Sequence, residues 1–118
     1  MARYLITGGA GFIGSALAVK LINEKHEVHI IDIESRVNLL RDKLMGAHLH
    51  CGDISKEVTF STLPAKTFDI AFHLAAQTSA RVSEENPSLD IDVNVKGTYY
   101  FCKWARENNI KRAVFTSS

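Results

Sequence analysis

Cysteine is scarce. Two residues in 118, Cys51 and Cys102, are too few for a disulfide framework. They suit a chain that works reduced, and a cytoplasmic setting is the expectation. Excess charge is also lacking: fourteen Lys and Arg against thirteen Asp and Glu leave +1. So weak a field argues against nucleic acid or a membrane surface as partner. No apolar run approaches the roughly 20 residues of a membrane-spanning helix. The first residues run straight into a strand pattern, so no secretory leader is expected. There are no repeats, low-complexity tracts or linkers. What is present is ordinary in amount, at 46% hydrophobic and 23% charged residues. One domain, residues 1–118, is expected, large enough to bury about two-thirds of its unfolded surface.

Apolar runs of strand length alternate with stretches of helical period, which predicts an α/β fold with a parallel sheet. Strands are expected at Arg3–Thr7, Glu27–Asp32, His48–Cys51, Asp69–His73 and Ala113–Thr116. Helices are expected over Phe12–Asn23, over Arg36–Met45 behind an N-cap at Ser35, and from a cap at Ser55 through Leu63, with Pro64 as the stop. No glycine comes after the first of these, which leaves Asn23 or Lys25 for the left-handed position, while Gly46 would close the second. The longest helix opens at Pro87 and ends at Asn108-Asn109. Leu89, Val93, Gly97, Tyr100 and Trp104 form one stripe along it, with Ile91, Val95 and Cys102 beside it, so cover on more than one side is expected. Five strands joined by right-handed crossovers give a doubly wound sheet of order 3-2-1-4-5. A ligand then belongs at the carboxyl ends of strands 1 and 4, where the order reverses.

The turn after the first strand carries the strongest chemical signal. Gly8, Gly11 and Gly14 are spaced three apart, and Gly9, Gly11 and Gly14 overlap them as G-x-G-x-x-G. Such glycines allow a sharp reversal, a close approach of backbone to a pyrophosphate, and tight packing of helix on strand. The helix beginning at Phe12 points its amide groups and positive dipole end the same way. Asp32 ends the second strand eighteen residues after Gly14, near the spacing of a carboxylate that grips a ribose hydroxyl. Strand, turn, helix, strand and acid together predict a dinucleotide seat. A helix-capping role is the plainer alternative for Asp32.

Other short pieces complete a pattern. Thr7–Ser15, Gly52-Asp53-Ile54, His73–Gln77, Asn94–Thr98 and Val114–Ser118 occur in an order and spacing that resemble the N-terminal part of the extended short-chain dehydrogenase/reductases. More narrowly, they resemble the NAD-dependent epimerase/dehydratase family that acts on nucleotide sugars, of which the UDP-glucose 4-epimerases are best known. The resemblance covers the whole chain but only the first part of a full-length member. It implies a Rossmann-type sheet truncated after strand five. It also implies NAD as cofactor, with Gly8, Gly11 and Gly14 around the pyrophosphate and Phe12 and Ile13 offering amide groups. Asp32 would bind the adenosine ribose and repel a 2′-phosphate, favouring NAD over NADP, although Arg36 could hold that phosphate. Asp53 and Ile54 would meet the adenine edge, unless Asp53 or Ser55 merely caps the next helix. Leu74, Ala75 and Ala76 would lie against the nicotinamide ribose and pyrophosphate, unless the alanines only permit tight packing. Asn94 would tie the loop after strand four or stand solvated on its helix, and Gly97 would let that helix approach the sheet. The polar loop Gln77–Glu85 would cover the site, with Thr78, Ser79 and Arg81 in reach of ribose or phosphate. Ser117 would lie on the nicotinamide side, and Ser118 would bond the reacting sugar hydroxyl as the catalytic serine.

Hydride transfer also needs a base. In the family this is a tyrosine paired with a lysine four residues on, on the helix after strand five. Tyr99 and Lys103 have the spacing but fall on the helix before it, so they read as packing and a solvated lysine. The chain is therefore expected to be the NAD-binding portion of a nucleotide-sugar epimerase or dehydratase, inactive by itself. The competing readings are a free-standing NAD(H)-binding regulatory module and a truncated product without activity. The gene sequence downstream of Ser118 separates them. A nucleotide sugar is the implied substrate of the full-length parent. Strand five, left as an exposed edge, predicts a homo-oligomer or other self-association. His48 and His50 alternate on one face near Cys51 and Asp53, but two strand-edge histidines read as structural, and no metal site is expected. His73 is expected to be hydrogen-bonded near the site.

Overall fold

The computed structural model describes residues 1–64 and 68–117. Its strands are β1 (Arg3–Thr7), β2 (Glu27–Asp32), β3 (His48–Cys51), β4 (Ile70–His73) and β5 (Arg112–Phe115). They form one parallel sheet in the order β3-β2-β1-β4-β5. The expected order and the reversal between β1 and β4 are both present. Alternation along each strand divides the core in two, because successive side chains point to opposite faces. Leu5, Ile31 and Ala71 face Phe60, Phe68, Phe101 and Trp104, whereas Ile6, Val28 and Ile30 face Ala10, Ala18, Leu21 and Leu44. Both faces of the central strands β1, β2 and β4 are thus covered, as a parallel sheet requires, whereas β5 stays largely exposed.

Helix α1 (Phe12–Asn23) has the expected bounds. Lys25 takes the left-handed turn after it, with φ 69°. The Lys25 amide donates to the Ile22 carbonyl and the His26 amide to that of Leu21, a Schellman closure that satisfies the last carbonyls without glycine. Asn109, with φ 54°, closes the last helix in the same way.

Helix α2 differs from its expected bounds. It covers Glu34–Leu40, with Ile33 rather than Ser35 at the N-cap position, and turns carry the chain on to Gly46. Burial explains its phase. Val37 and Leu44 are buried and Leu40 is half-buried, while Leu39 and Met45 are exposed. Helix α3 is only Glu57–Ser61, because Ser55 does not cap it. The Ser55 amide and hydroxyl both donate to Asp53 Oδ1, at 2.9 and 2.8 Å. That local Asx turn occupies the residues that would otherwise begin the helix.

The region expected to be a loop over Gln77–Glu85 contains α4 (Ala80–Glu85), capped by Ser79 Oγ accepting from the Val82 amide. The long helix runs without interruption from Pro87 to Glu107, as expected, but not as α-helix throughout. It consists of α5 (Pro87–Asp90), a π-helical turn over Ile91–Lys96, and α6 (Gly97–Glu107). Its expected cover on more than one side is also absent among the described residues. Phe101 and Trp104 are buried, but Ile91, Val95, Tyr99 and Cys102 are exposed. No helix among the described residues is long and apolar enough to cross a membrane.

Candidate functional site

The carboxyl ends of β1, β2 and β4 open onto a cleft of about 660 Å³. Gly8, Gly11, Phe12, Ile13 and Gly14 line it from the turn and first helical residues. The turn is held from below. The Gly8 amide donates to the Ile31 carbonyl at 2.8 Å, and the Gly11 amide to the Gly8 carbonyl at 3.0 Å. Gly8 has φ +70°, and a Cβ there would stand 2.8 Å from the Ala75 nitrogen. A Cβ on Gly14 would lie 2.2 Å from the Gly8 carbonyl oxygen. These two glycines are therefore required by the backbone itself. A Cβ at Gly11 would meet only the Gly8 oxygen, at 3.2 Å. The first amides of α1 belong to the helical turn that has no intrahelical acceptors.

Asp32 stands at the tip of β2 and lines the cleft with Ile33 and Arg36. Its Oδ2 accepts from the Ala10 amide at 3.0 Å, and its Oδ1 from the Ile33 amide at 2.8 Å. The carboxylate is thus fastened to the glycine turn rather than capping α2. Gly52, Asp53 and Ile54 continue the same wall. Gly97 leaves room for the Ile54 side chain, since a Cβ there would be 2.6 Å from Ile54 Cδ1. Its expected role of admitting the sheet is served instead by admitting this residue.

The opposite wall comes from Leu74, Ala75, Ala76, Gln77, Thr78 and Ser79, with Leu89, Val93 and Thr116 beyond. Thr7 and His73 anchor it. Thr98 Oγ1 donates to the Asn94 carbonyl at 2.7 Å. Its proton is committed, so His73 Nε2 is the donor in the 3.1 Å bond to Thr98. His73 Nδ1 then accepts from Thr7 Oγ1 at 2.7 Å. Thr7 in turn accepts from the Leu74 and Ala75 amides, at 3.1 and 3.2 Å. Both ring nitrogens are used by the neutral imidazole, and burial pushes the His73 pKa down to about 4. His73, the last residue of β4, is hydrogen-bonded beside the cleft, as expected.

Asn94 does not line the cleft. It clamps the loop that does, its Oδ1 accepting from the Gln77 amide at 2.8 Å and its Nδ2 donating to the Gln77 carbonyl at 3.0 Å. Of the expected cofactor residues, Gly8, Gly11, Phe12, Ile13, Gly14, Asp32, Asp53, Ile54, Leu74, Ala75 and Ala76 are brought together around one cleft. Ser117 and Arg81 are not in its lining, and Ser118 lies outside the described residues. Sequence reasoning missed Ile33 and Thr116, and it read Leu89 and Val93 only as a packing stripe. Adjacency to Asp32 was the available signal for Ile33.

A family model described as the NAD dependent epimerase/dehydratase family matches residues 4–118. The chain belongs to that family. The UDP-glucose 4-epimerase of Mycolicibacterium smegmatis is 33% identical over 125 residues, covering 98% of this chain and 38% of that protein. The CDP-paratose 2-epimerase of Salmonella typhi is 31% identical over 122 residues, covering 98% of this chain and 36% of that protein. The crystal structure of Thermus thermophilus UDP-glucose 4-epimerase in complex with NAD superposes with a TM-score of 0.80 at 31% identity. That match covers 98% of this chain and 37% of the crystallised one. The chain thus spans less than two-fifths of the length of these relatives.

Proposed function

We propose that these residues are the NAD-binding portion of a nucleotide-sugar epimerase or dehydratase of the UDP-glucose 4-epimerase type. One observation carries the reading: the Asp32 carboxylate is fastened to the Ala10 amide, so an anionic group and the start of α1 face one cleft at the sheet's reversal point. The residues fit the cofactor. Gly8 and Gly14 let the turn close tightly on its own backbone, which presents the first amides of α1 to a pyrophosphate in the cleft beside Gly11. Asp32 accepts from ribose hydroxyls and disfavours a 2′-phosphate, so NAD is selected over NADP. Asp53 and Ile54 flank the adenine, and Leu74, Ala75 and Ala76 flank the nicotinamide ribose. Ser117 and Ser118, just past β5, are assigned to the reacting end, with Ser118 as the catalytic serine. Bound NAD supplies a reversible hydride acceptor. The cleft residues orient it, and the Asn94 clamp on Gln77 holds the wall beside it.

Calorimetric titration of NAD into the wild-type chain and Gly11→Val tests this reading. The wild type is expected to bind, and the valine, whose Cβ would stand 3.2 Å from the Gly8 carbonyl oxygen, to weaken binding by more than about tenfold, with circular dichroism checking that the variant is folded. Equal affinity, or none in either, rejects the cofactor assignment. A coupled assay with UDP-sugars on these 118 residues alone is expected to read zero, and measurable turnover would reject the proposal that the base lies outside them.

A further inference from the structure

Glu27 and His29 on β2, and His48 and His50 on β3, share one face of the sheet, because each pair is two residues apart on adjoining strands. His29 pairs in register with His48, and β3 is the sheet's edge. Glu27 lies five residues before Asp32, about 17 Å along the strand, so this group sits toward the opposite end of the sheet from the cleft.

The group is tightly built. His29 is 2% exposed, against Phe68 on one side. Its Nε2 is 2.8 Å from Glu27 Oε2, and its Nδ1 is 3.0 Å from His50 Nε2. The His48 ring stacks on it at 4.4 Å with an interplanar angle of 13°. One donor atom each from Glu27, His29 and His48 lie within 4.8 Å of one another. Arg3 Nε also bonds Glu27 Oε2, but a carboxylate offers about four lone-pair sites.

We propose that Glu27, His29 and His48 form a binding site for a zinc-class divalent transition metal ion. Two imidazoles and a carboxylate are a donor set such ions accept. Donor atoms around a tetrahedral zinc ion stand about 3.3 Å apart, so closing the set requires the exposed His48 ring to turn out of its stack on His29 until its lone pair points at the ion. In the bound form His29 coordinates through Nε2, and its proton resides on Nδ1, donated to His50 Nε2. An outer partner of that kind fixes the tautomer and orientation of a ligand histidine. Sequence alone showed only His48 and His50; the parallel register adds the buried histidine and the acid.

The test is zinc(II) binding to the untagged chain by competition with a chromophoric chelator, with folding checked by circular dichroism. Wild type is expected to take up one equivalent. His48→Ala, an exposed change, should weaken it by more than about tenfold. Cys51→Ser, on the other face of β3, should leave it unchanged. Copper(II) in the same site should show nitrogen hyperfine structure that His48→Ala diminishes. No uptake by wild type, equal affinity in His48→Ala, or loss in Cys51→Ser would overturn the proposal. NAD titration of His48→Ala separates this site from the cleft, because cofactor affinity should be unaffected.

Discussion

Thr7 gives its single proton to His73 and collects two amide protons in return. That arrangement has no place for a second proton on the imidazole. Unfolded, His73 would titrate near 6.5; folded, it titrates near 4. Between those values the unfolded chain binds more protons, so stability falls as pH drops through this window and is full above it. The loss should reach about 3 kcal/mol by pH 4. Urea unfolding of wild type and His73→Gln across this range checks it, since the variant should lack that part of the slope. At Gly14 the limit is steric. A methyl group would press on the Gly8 carbonyl oxygen at 2.2 Å, and Gly14→Ala should cost about 1–3 kcal/mol, read from the unfolding midpoint. Spacing in the chain predicted glycines at this turn. The one-dimensional pattern could not say that Gly8 and Gly14 are demanded by severe backbone contacts while Gly11 faces a single milder one at 3.2 Å.

Elements show where local rules were overridden. A serine before an apolar run is a good cap signal, yet Ser55 is taken by Asp53 and Ser35 lies inside its helix. The π turn inside the long helix is similar. Nothing in the stripe of Leu89, Val93, Gly97, Tyr100 and Trp104 marks a π turn over Ile91–Lys96. Such a turn changes the phase of the residues after it. Here it coincides with two demands made by other elements: Asn94 bonds both backbone groups of Gln77, and Gly97 abuts Ile54. Asn94→Ala should remove both Gln77 bonds at a cost of about 1–2 kcal/mol. Hydrogen exchange should accelerate over Gln77–Glu85 while α1 is unaffected. Unchanged exchange in that segment would mean that Asn94 is merely solvated.

Across the whole molecule, β5 forms one edge of the described sheet, and Phe115 on it is 47% exposed. Ile91, Val95 and Tyr99 add apolar surface on the neighbouring helical segment. Unpaired edges and contiguous apolar surface promote association. Sedimentation velocity should show the average mass rising with concentration, and Phe115→Lys should suppress that rise; a monomer at every concentration would refute it. The order of strands, the reversal between β1 and β4 and the residues around the glycine turn were all legible in the chain, because they rest on apolar periodicity and on short spacings that survive without a third dimension. The helix bounds, the clamp from Asn94 to Gln77, the neutral His73 and the gathering of Glu27, His29 and His48 were decided only by the tertiary structure. Each depends on which distant segment comes to lie alongside, and hydrogen bonds and close contacts reach only a few ångströms.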